Sequence, residues 1–468
     1  MKTRILLGTV GLSFTTLVFS LWGTEYAHTQ RAYFNYLSLV VLGVLLVSYA
    51  LAFGKAQPKL RPRVAPFVVP PLFATLTFLS PLFGLPDIVL AVVSIAGGAG
   101  MLPLVVLWAR SYDGLPAKTV ALSVGFALIL NHVFHLLLVL LPSTAYAIST
   151  SLLPPLSALV LLVVLKLDDR AGMQNGEGGR ERSKPKRGPE QKPKRLGRFV
   201  AATMMANIAL SFIYMLYRVP GMSESAVSSF EVPATLARIA LLVAIVVVLT
   251  VVLKFRLINY YRCIVVFGIF GFLAFPLFGN GNFIPYVLTA TSFTCLGIIM
   301  WVFPICYGAR NRISSDYVIG LTYGPFVALW AITYFIAEYP LSRIDMSAEV
   351  LNIITLCGAG LVVLAYAVVF TERDLLQALA SRDDLRGIDA RKFVDDEQLR
   401  SVAGEYALTE RECEVFAKLF AGKTRAQVRE ELCISEGTLN SHTRSIYKKT
   451  GVHTRQELVA LVRANIDD

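Results

Sequence analysis

From Ile5 to Phe370 the chain alternates between long apolar runs and short polar connections. A helix rises about 1.5 Å per residue, so about 20 mainly apolar residues cross a hydrocarbon core. On that ruler twelve runs predict twelve membrane-spanning helices, at about 5–22, 33–54, 64–83, 86–108, 119–141, 147–167, 199–217, 232–253, 263–279, 284–308, 317–337 and 349–370. After Phe370 the runs give way to short amphipathic segments, the pattern of helices that bury one face in a small domain. The predicted fold class is all-α: a polytopic transmembrane bundle of about twelve spans, six plus six, with a C-terminal four-helix module.

Five regions follow from these shifts: a first six-span half at 1–167, a basic linker at 168–198, a second six-span half at 199–370, a coupling segment at 371–407 and the module at 408–468. A helix beginning at Thr371 is expected to couple the last span to the module, either as one rigid continuous helix or by simple tethering. The linker is rich in Gly, Pro, Lys and Arg, and its cations suit anionic lipid headgroups, with nucleic acid as the alternative partner.

Composition sharpens the membrane reading. The chain is 55% hydrophobic and 16% charged, against about a quarter charged in ordinary soluble domains. Its net charge of +12 does not come from the tail, where residues 371–468 hold 16 Lys or Arg against 18 Asp or Glu. The excess lies in alternate connections. One set holds Lys2 and Arg4; Lys55, Lys59, Arg61 and Arg63; Arg110 and Lys118; the stretch Lys166 to Arg198; Lys254, Arg256 and Arg262; Arg310 and Arg312. The other set holds Arg31, Arg218 and Arg343. By the positive-inside rule both termini and the central linker are expected in the cytoplasm, with the bundle in the inner membrane. The apolar start is read as a first span, since no small-residue cleavage site follows it.

Catalytic and metal chemistry are not expected. Six cysteines show no CxxC or paired-histidine spacing, so neither a zinc site nor a disulfide framework is indicated. Gly422, Lys423 and Thr424 match the end of a phosphate loop, but its first glycine would fall at Ala417. No cofactor is called for.

Polar side chains at membrane depth are costly and mark candidate sites. Asn131, His132 and His135 sit mid-span with the histidines on one helical face. Asn207 lies in the seventh span, and Arg238 in the eighth is a candidate partner of Glu231. Two readings stand open: a ligand or proton sensor, since histidine changes charge near neutral pH, or hydrogen bonds between helices. For Ala96 to Pro103 the alternatives are an unwound span and close helix packing by small residues.

In the tail, Thr409 and Glu412 form a capping-box pattern that starts a helix ending at Gly422. A second helix is expected over about 425–432, a turn at Cys433 to Ser435, a third helix over about 436–450 ending at Gly451, and a fourth capped by Thr454 and ending near Arg463. Two helices across a three-residue turn make a helix-turn-helix.

The string resembles the LuxR/FixJ output domain along nearly its whole length. Thr409, Arg411, Glu412 and Glu414 match its opening. Gly422, Leu432, Ile434 and Ser435 match the scaffold helix and turn. Thr438, His442, Ile446, Tyr447, Lys449, Gly451, Val452, Arg455, Glu457 and Leu458 match the recognition helix and its sequel. The resemblance implies major-groove binding by the third helix and dimerisation through the fourth. It places base reading at Asn440, Ser441 and Arg444, with Thr438, His442, Lys448 and Lys449 near phosphates; arginine suits a guanine edge and asparagine an adenine edge. For His442 a helix-packing role stays open. Three positions depart from the family: Asn440 stands for a common lysine, Arg429 for a usually small residue, and Thr450 for a leucine. The six-plus-six plan also resembles the major facilitator architecture, although Gly54 to Arg63 lacks that family's loop pattern.

The expected function is a membrane-embedded one-component transcriptional regulator whose partners are promoter DNA, a small-molecule inducer, the lipid bilayer and a second copy on DNA. The alternative is a secondary transporter carrying a regulatory DNA-binding domain. The alternating cations test the topology. A phosphatase active only outside the cytoplasm should work when fused after residue 285 or 343 and be silent after residue 468; activity at the last site would overturn the arrangement.

Overall fold

A computed structural model describes residues 2–23, 33–53, 65–174, 194–216, 224–249, 257–278, 283–311, 313–338, 347–379, 396–420, 425–454, 457–458 and 461–462. The chain divides into two compact units, Met1–Leu379 and Ala380–Asp468.

The first unit contains α1 (Lys2–Gly23), α2 (Tyr33–Phe53), α3 (Ala65–Leu79), α4 (Asp87–Ser111), α5 (Ala117–Val139), α6 (Ser143–Ser151) and α7 (Leu153–Gln174). It continues through α8 (Lys194–Leu216), α9 (Glu224–Val247), α10 (Leu257–Phe278), α11 (Phe283–Asn311), α12 (Ser315–Glu338), α13 (Ala348–Val363) and α14 (Glu372–Leu379). Among the described residues nine helical stretches are long and apolar enough to cross a membrane, with α6 and α7 together making one. Three shorter apolar helices, Val69–Leu79, Leu196–Ser211 and Val232–Val247, fall where the third, seventh and eighth runs were expected. The unit is a multi-pass membrane domain. Its sixth span breaks at Leu152, just before Pro154 and Pro155, because a proline ring clashes with the preceding turn and removes an amide donor.

Within hydrocarbon, side-chain hydroxyls and indoles stitch helices together. On α1, Thr9 Oγ1 pairs with Ser123 Oγ at 2.7 Å and Thr15 Oγ1 with Ser157 Oγ at 2.7 Å. Trp108 Nε1 also donates to Ser157 Oγ at 3.0 Å, and Trp22 Nε1 donates to Thr77 Oγ1 at 2.9 Å. Each bond satisfies a group that lipid could not. The run Ala96 to Pro103 stays helical inside α4. A Cβ at Gly98 would lie 2.3 Å from the Ser38 carbonyl oxygen, so small residues here serve close packing.

The two sets of six helices meet most intimately where α2 crosses α12. A Cβ on Gly43 would fall 2.5 Å from the Gly324 carbonyl oxygen, and one on Gly324 would fall 2.8 Å from that of Gly43. Along the same seam Arg110 of α4 forms an ion pair with Asp316 at the start of α12. The Tyr49 hydroxyl of α2 accepts from Arg110 Nη2 at 3.1 Å and donates to Asp316 Oδ2 at 3.2 Å, and Ser314 Oγ donates to Oδ1. The Asp316 side chain is only 3% exposed.

The last span does not run on. After α13 the backbone widens into a π-helical turn at Leu364–Val369, closed by the Phe370 amide donating to Ala365 O at 3.0 Å. Phe370 is extended, with φ −137° and ψ 96°. Thr371 then restarts the helix with a reciprocal cap: its amide donates to Asp374 Oδ2 at 2.9 Å, and the Asp374 amide donates to Thr371 Oγ1 at 3.3 Å. This corrects the reading as one continuous helix. The cap supplies bonds that the ended span no longer offers.

The second unit holds α15 (Asp396–Glu405), α16 (Glu410–Phe420), α17 (Arg425–Leu432) and α18 (Glu436–Thr450). Val415, Phe416, Leu419 and Phe420 form one buried stripe of α16, and Leu439 and Ile446 of α18 meet it with Val428. Leu399, Val402 and Ala403 of α15 join the same core, so the unit's packing begins before Leu408. The basic stretch 175–193, the loop Gly54 to Arg63, Gly422 and Arg455 lie outside the described residues.

Removing the Asp316 carboxylate leaves a mostly buried guanidinium uncompensated. Asp316→Ala should lower full-length stability by about 3 kcal/mol, and combining it with Arg110→Ala should cost less than the two single changes summed. Melting temperatures of the purified chain in detergent check both; additive losses would mean the pair is not coupled.

Candidate nucleic-acid interface and membrane site

The recognition-helix candidate, α18, has well-defined ends. Ser435 caps its start, accepting from the Thr438 amide at 3.1 Å, and Gly451 closes it at φ 69°, the left-handed conformation open to glycine. Leu439, Thr443, Ile446 and Thr450 are buried along one stripe. That stripe fixes the opposite face, where Thr438, Asn440, Ser441, Arg444 and Lys448 are exposed. Asn440, Arg444 and Lys448 follow one another at four-residue spacing, so they stand in one row. His442 is half-buried at the edge of the core stripe.

Lys449 is placed differently. Its Nζ donates to Glu412 Oε2 at 2.7 Å and to the Ala407 carbonyl oxygen at 2.9 Å. The ammonium therefore ties the end of α18 to the start of α16, a structural task beside the phosphate role expected for it. Glu412 also closes the capping box, accepting from the Thr409 amide at 2.8 Å while its own amide donates to Thr409 Oγ1 at 3.4 Å. Lys449 above all, with hydrogen bonds from Ser445 and Thr409, holds the Glu412 carboxyl down to about 2.

Arg429 on α17 reaches Glu436, in the first turn of α18, with Nη1 to Oε2 at 2.8 Å. Cys433, between the two helices, has φ 50°, a conformation in which a side chain is strained. The Thr450 hydroxyl is satisfied within its own helix by Ile446 O at 2.7 Å.

In the membrane unit, Asn131 Nδ2 donates to Ser20 Oγ of α1 at 3.0 Å. Asn207 Nδ2 donates to the Phe326 carbonyl oxygen of α12 at 2.8 Å and Asn207 Oδ1 accepts from Ser211 Oγ at 2.9 Å. Both asparagines bond between or along helices. Arg238 Nη2 donates to Thr294 Oγ1 of α11 at 2.6 Å; the side chain of Glu231 lies outside the described residues. His132 Nδ1 faces the Leu128 carbonyl oxygen at 2.5 Å, and both Arg238 and His135 lie within electrostatic reach of it. The structure thus gathers His132, His135 and Arg238 where α5 meets α9, between the two sets of six helices, and turns Asn131 and Asn207 toward other neighbours.

Comparison with known proteins separates the two units. Residues 406–462 match the family described as "Bacterial regulatory proteins, luxR family". Residues 406–462 are a luxR-family domain. Over 81% of this chain and 100% of the other, the structure is similar to a bacterial homologue of the iron transporter ferroportin, solved in an outward-facing state with soaked iron, at TM-score 0.52 and 12% identity. The proton:xylose symporter XylE of the major facilitator superfamily scores 0.48 at 11% identity, covering 81% of this chain and 100% of its own. The E. coli fucose:proton symporter FucP scores 0.46 at 13% identity, covering 81% and 98%. No curated protein sequence matches the chain. The likeness to the ferroportin homologue is one of fold.

Within the luxR-family domain two departures now have physical accounts. Arg429 fits because its guanidinium reaches out to solvent and pairs with Glu436 at the start of α18. Thr450 fits because its hydroxyl has a carbonyl partner. Reading the sequence missed the Arg110, Asp316 and Tyr49 cluster and the contacts of Arg198 and Arg262, since each of these cations was counted only toward topology.

The depressed Glu412 carboxyl sets a pH window. A carboxylate whose folded value lies below its ordinary one stabilises the fold above about 4.5, and that contribution is lost as pH falls toward about 2. For the fragment 396–468, the difference in urea midpoint between wild type and Glu412→Gln should be full at pH 6 and shrink through this window. A difference independent of pH would exclude the ionised pair as its source.

Proposed function

We propose that this chain is a one-component transcriptional regulator in which the membrane bundle senses a small molecule and the luxR-family domain binds promoter DNA. The observation that carries this reading is the exposed row Asn440, Arg444 and Lys448 on a capped recognition helix, joined in one polypeptide to a multi-pass membrane unit. Both termini face the cytoplasm, where the chromosome is, and the domain acts as a homodimer on DNA. Asn440, Ser441 and Arg444 read bases; Thr438, His442 and Lys448 approach phosphates, and Lys449 does so only by leaving Glu412. The inducer enters between the two sets of six helices near His132, His135 and Arg238, with Asn131 and Asn207 shaping the walls through the helices they tie. The chain acts by binding rather than by catalysis. A second reading, transport by the same bundle, draws on the fold shared with the ferroportin homologue; solute uptake by vesicles holding the full chain would favour it.

The fragment 396–468 has its own core, so selection from random duplexes can define its site. Arg444→Ala should then weaken binding by about 1–3 kcal/mol and relax preference at one base, whereas Lys448→Ala should weaken all sequences alike and lower the salt slope by about 1. A fragment that enriches no sequence, or two substitutions without effect, would overturn the reading.

A further inference from the structure

The junction at Phe370 and Thr371 joins the last span to α14, the last described helix of the membrane unit before the chain continues toward the luxR-family domain, and three side chains from other helices hold it. Arg198, near the start of α8, donates from Nε to the Val369 carbonyl oxygen at 2.7 Å and forms an ion pair from Nη1 to Asp374 Oδ1 at 3.0 Å. One guanidinium thereby grips both sides of the break: the last carbonyls of the span and the cap of α14. Arg262, near the start of α10, forms an ion pair with Glu372 in the first turn of α14. The Tyr261 hydroxyl, beside it, donates at 3.0 Å to the Tyr366 carbonyl oxygen inside the wide turn and also meets that of Phe370. Leu375 is buried in the membrane unit's core, so α14 is docked.

Every one of these holders belongs to the second set of six helices. The wide turn they hold also carries a cost, because the Tyr366 hydroxyl is buried and has no hydrogen-bond partner among the described residues. A π turn accommodates one residue more than an α turn, and shedding it moves the downstream chain by about 1.5 Å and about 100°. The turn is thus the natural place for the junction to yield, and the bonds that oppose its yielding come from α8 and α10.

We propose that Arg198, Tyr261 and Arg262 form a staple that fixes the root of the DNA-binding tail to the second half of the bundle, and that release of this staple, with the π turn changing register, is how the membrane unit changes the tail's access to DNA. The proposal rests on the regulator reading above. The three are positioning residues; none touches DNA or inducer. A displacement of α8 or α10 by a ligand breaks the staple without any direct contact between ligand and tail.

The test uses the full-length chain. Amide hydrogen exchange is followed over residues 366–379 in lipid nanodiscs, and chromosomal DNA crosslinked to the same variants is recovered from cells. Arg198→Ala, Tyr261→Phe and Arg262→Glu should each speed exchange over this segment at least roughly tenfold while leaving α1 to α5 unchanged. Each should also alter recovered DNA severalfold. The swap Arg262→Glu with Glu372→Arg should restore both readouts, which a general packing defect would not allow. Unchanged exchange overturns the staple, as does faster exchange with wild-type DNA recovery. If the wild-type chain recovers no DNA, the regulator reading falls, and the exchange arm still decides whether the staple exists.

Discussion

Lipid offers no hydrogen bonds, and most of this structure is a consequence of that. A polar group in hydrocarbon must find a protein partner or carry a cost of several kcal/mol. Backbone amides meet the demand by forming helices long enough to cross. Serine and threonine hydroxyls meet it by pairing across helices, as Thr9 does with Ser123 and Thr15 with Ser157. The same rule governs charges: Asp316 is tolerated because Arg110, Tyr49 and Ser314 surround its carboxylate. It governs the break after the last span too. A helix that ends near the membrane leaves carbonyls open, and Tyr261 and Arg198 cover them.

What the sequence made legible is whatever depends on near neighbours. Spans announce themselves as runs, the start of α16 is written in Thr409 and Glu412, and the buried stripe of α18 can be seen in the spacing of Leu439, Thr443 and Ile446. Contacts between distant positions are not written locally. Arg110 and Asp316 stand 206 residues apart, and Arg198 and Asp374 stand 176 apart; as separate charges near span ends they inform topology and nothing more. The break at Phe370 had a local sign that the apolar run concealed. Thr371 and Asp374 repeat the capping-box spacing, yet no glycine or proline falls between Leu361 and Phe370, so periodicity alone reads straight through. Among the mid-membrane candidates, residue type could mark Asn131 and Asn207 as costly but could not say that their amides are engaged by Ser20 and Phe326.

The second unit faces the opposite problem, since water competes for every bond it makes. Its exposed ion pairs are worth little individually, and the order of the recognition helix rests on burial and caps. Lys449 and Glu412 are the exception, partly withdrawn from solvent and linked to a capping box. They connect the end of the recognition helix to the start of α16, so the exposed row is presented from a helix anchored at both ends. Arg429 adds a tie between the helices flanking the strained Cys433 turn. These ties and the core they surround lie wholly within the second unit.

The proposed control needs a weak lock. The guanidiniums of Arg198 and Arg262 are 47% and 60% exposed, so their ion pairs contribute about 0–1 kcal/mol each, and the hydrogen bonds of Arg198 and Tyr261 to the Val369 and Tyr366 carbonyl oxygens add about 0.5–1.5 kcal/mol apiece. The staple's total is a few kcal/mol. A ligand can shift a two-state equilibrium only by the difference of its affinities for the two states, and about 5.5 kcal/mol is needed to move from 1:99 to 99:1. In the proposed regulator, a lock built from half-exposed arginines lies within the reach of such a difference in affinity. Under the same proposal, confinement of the tails to a plane supplies the rest, because tethering raises the effective concentration of one domain for another. On the proposed reading, a modest release at each root then decides whether two domains pair on DNA.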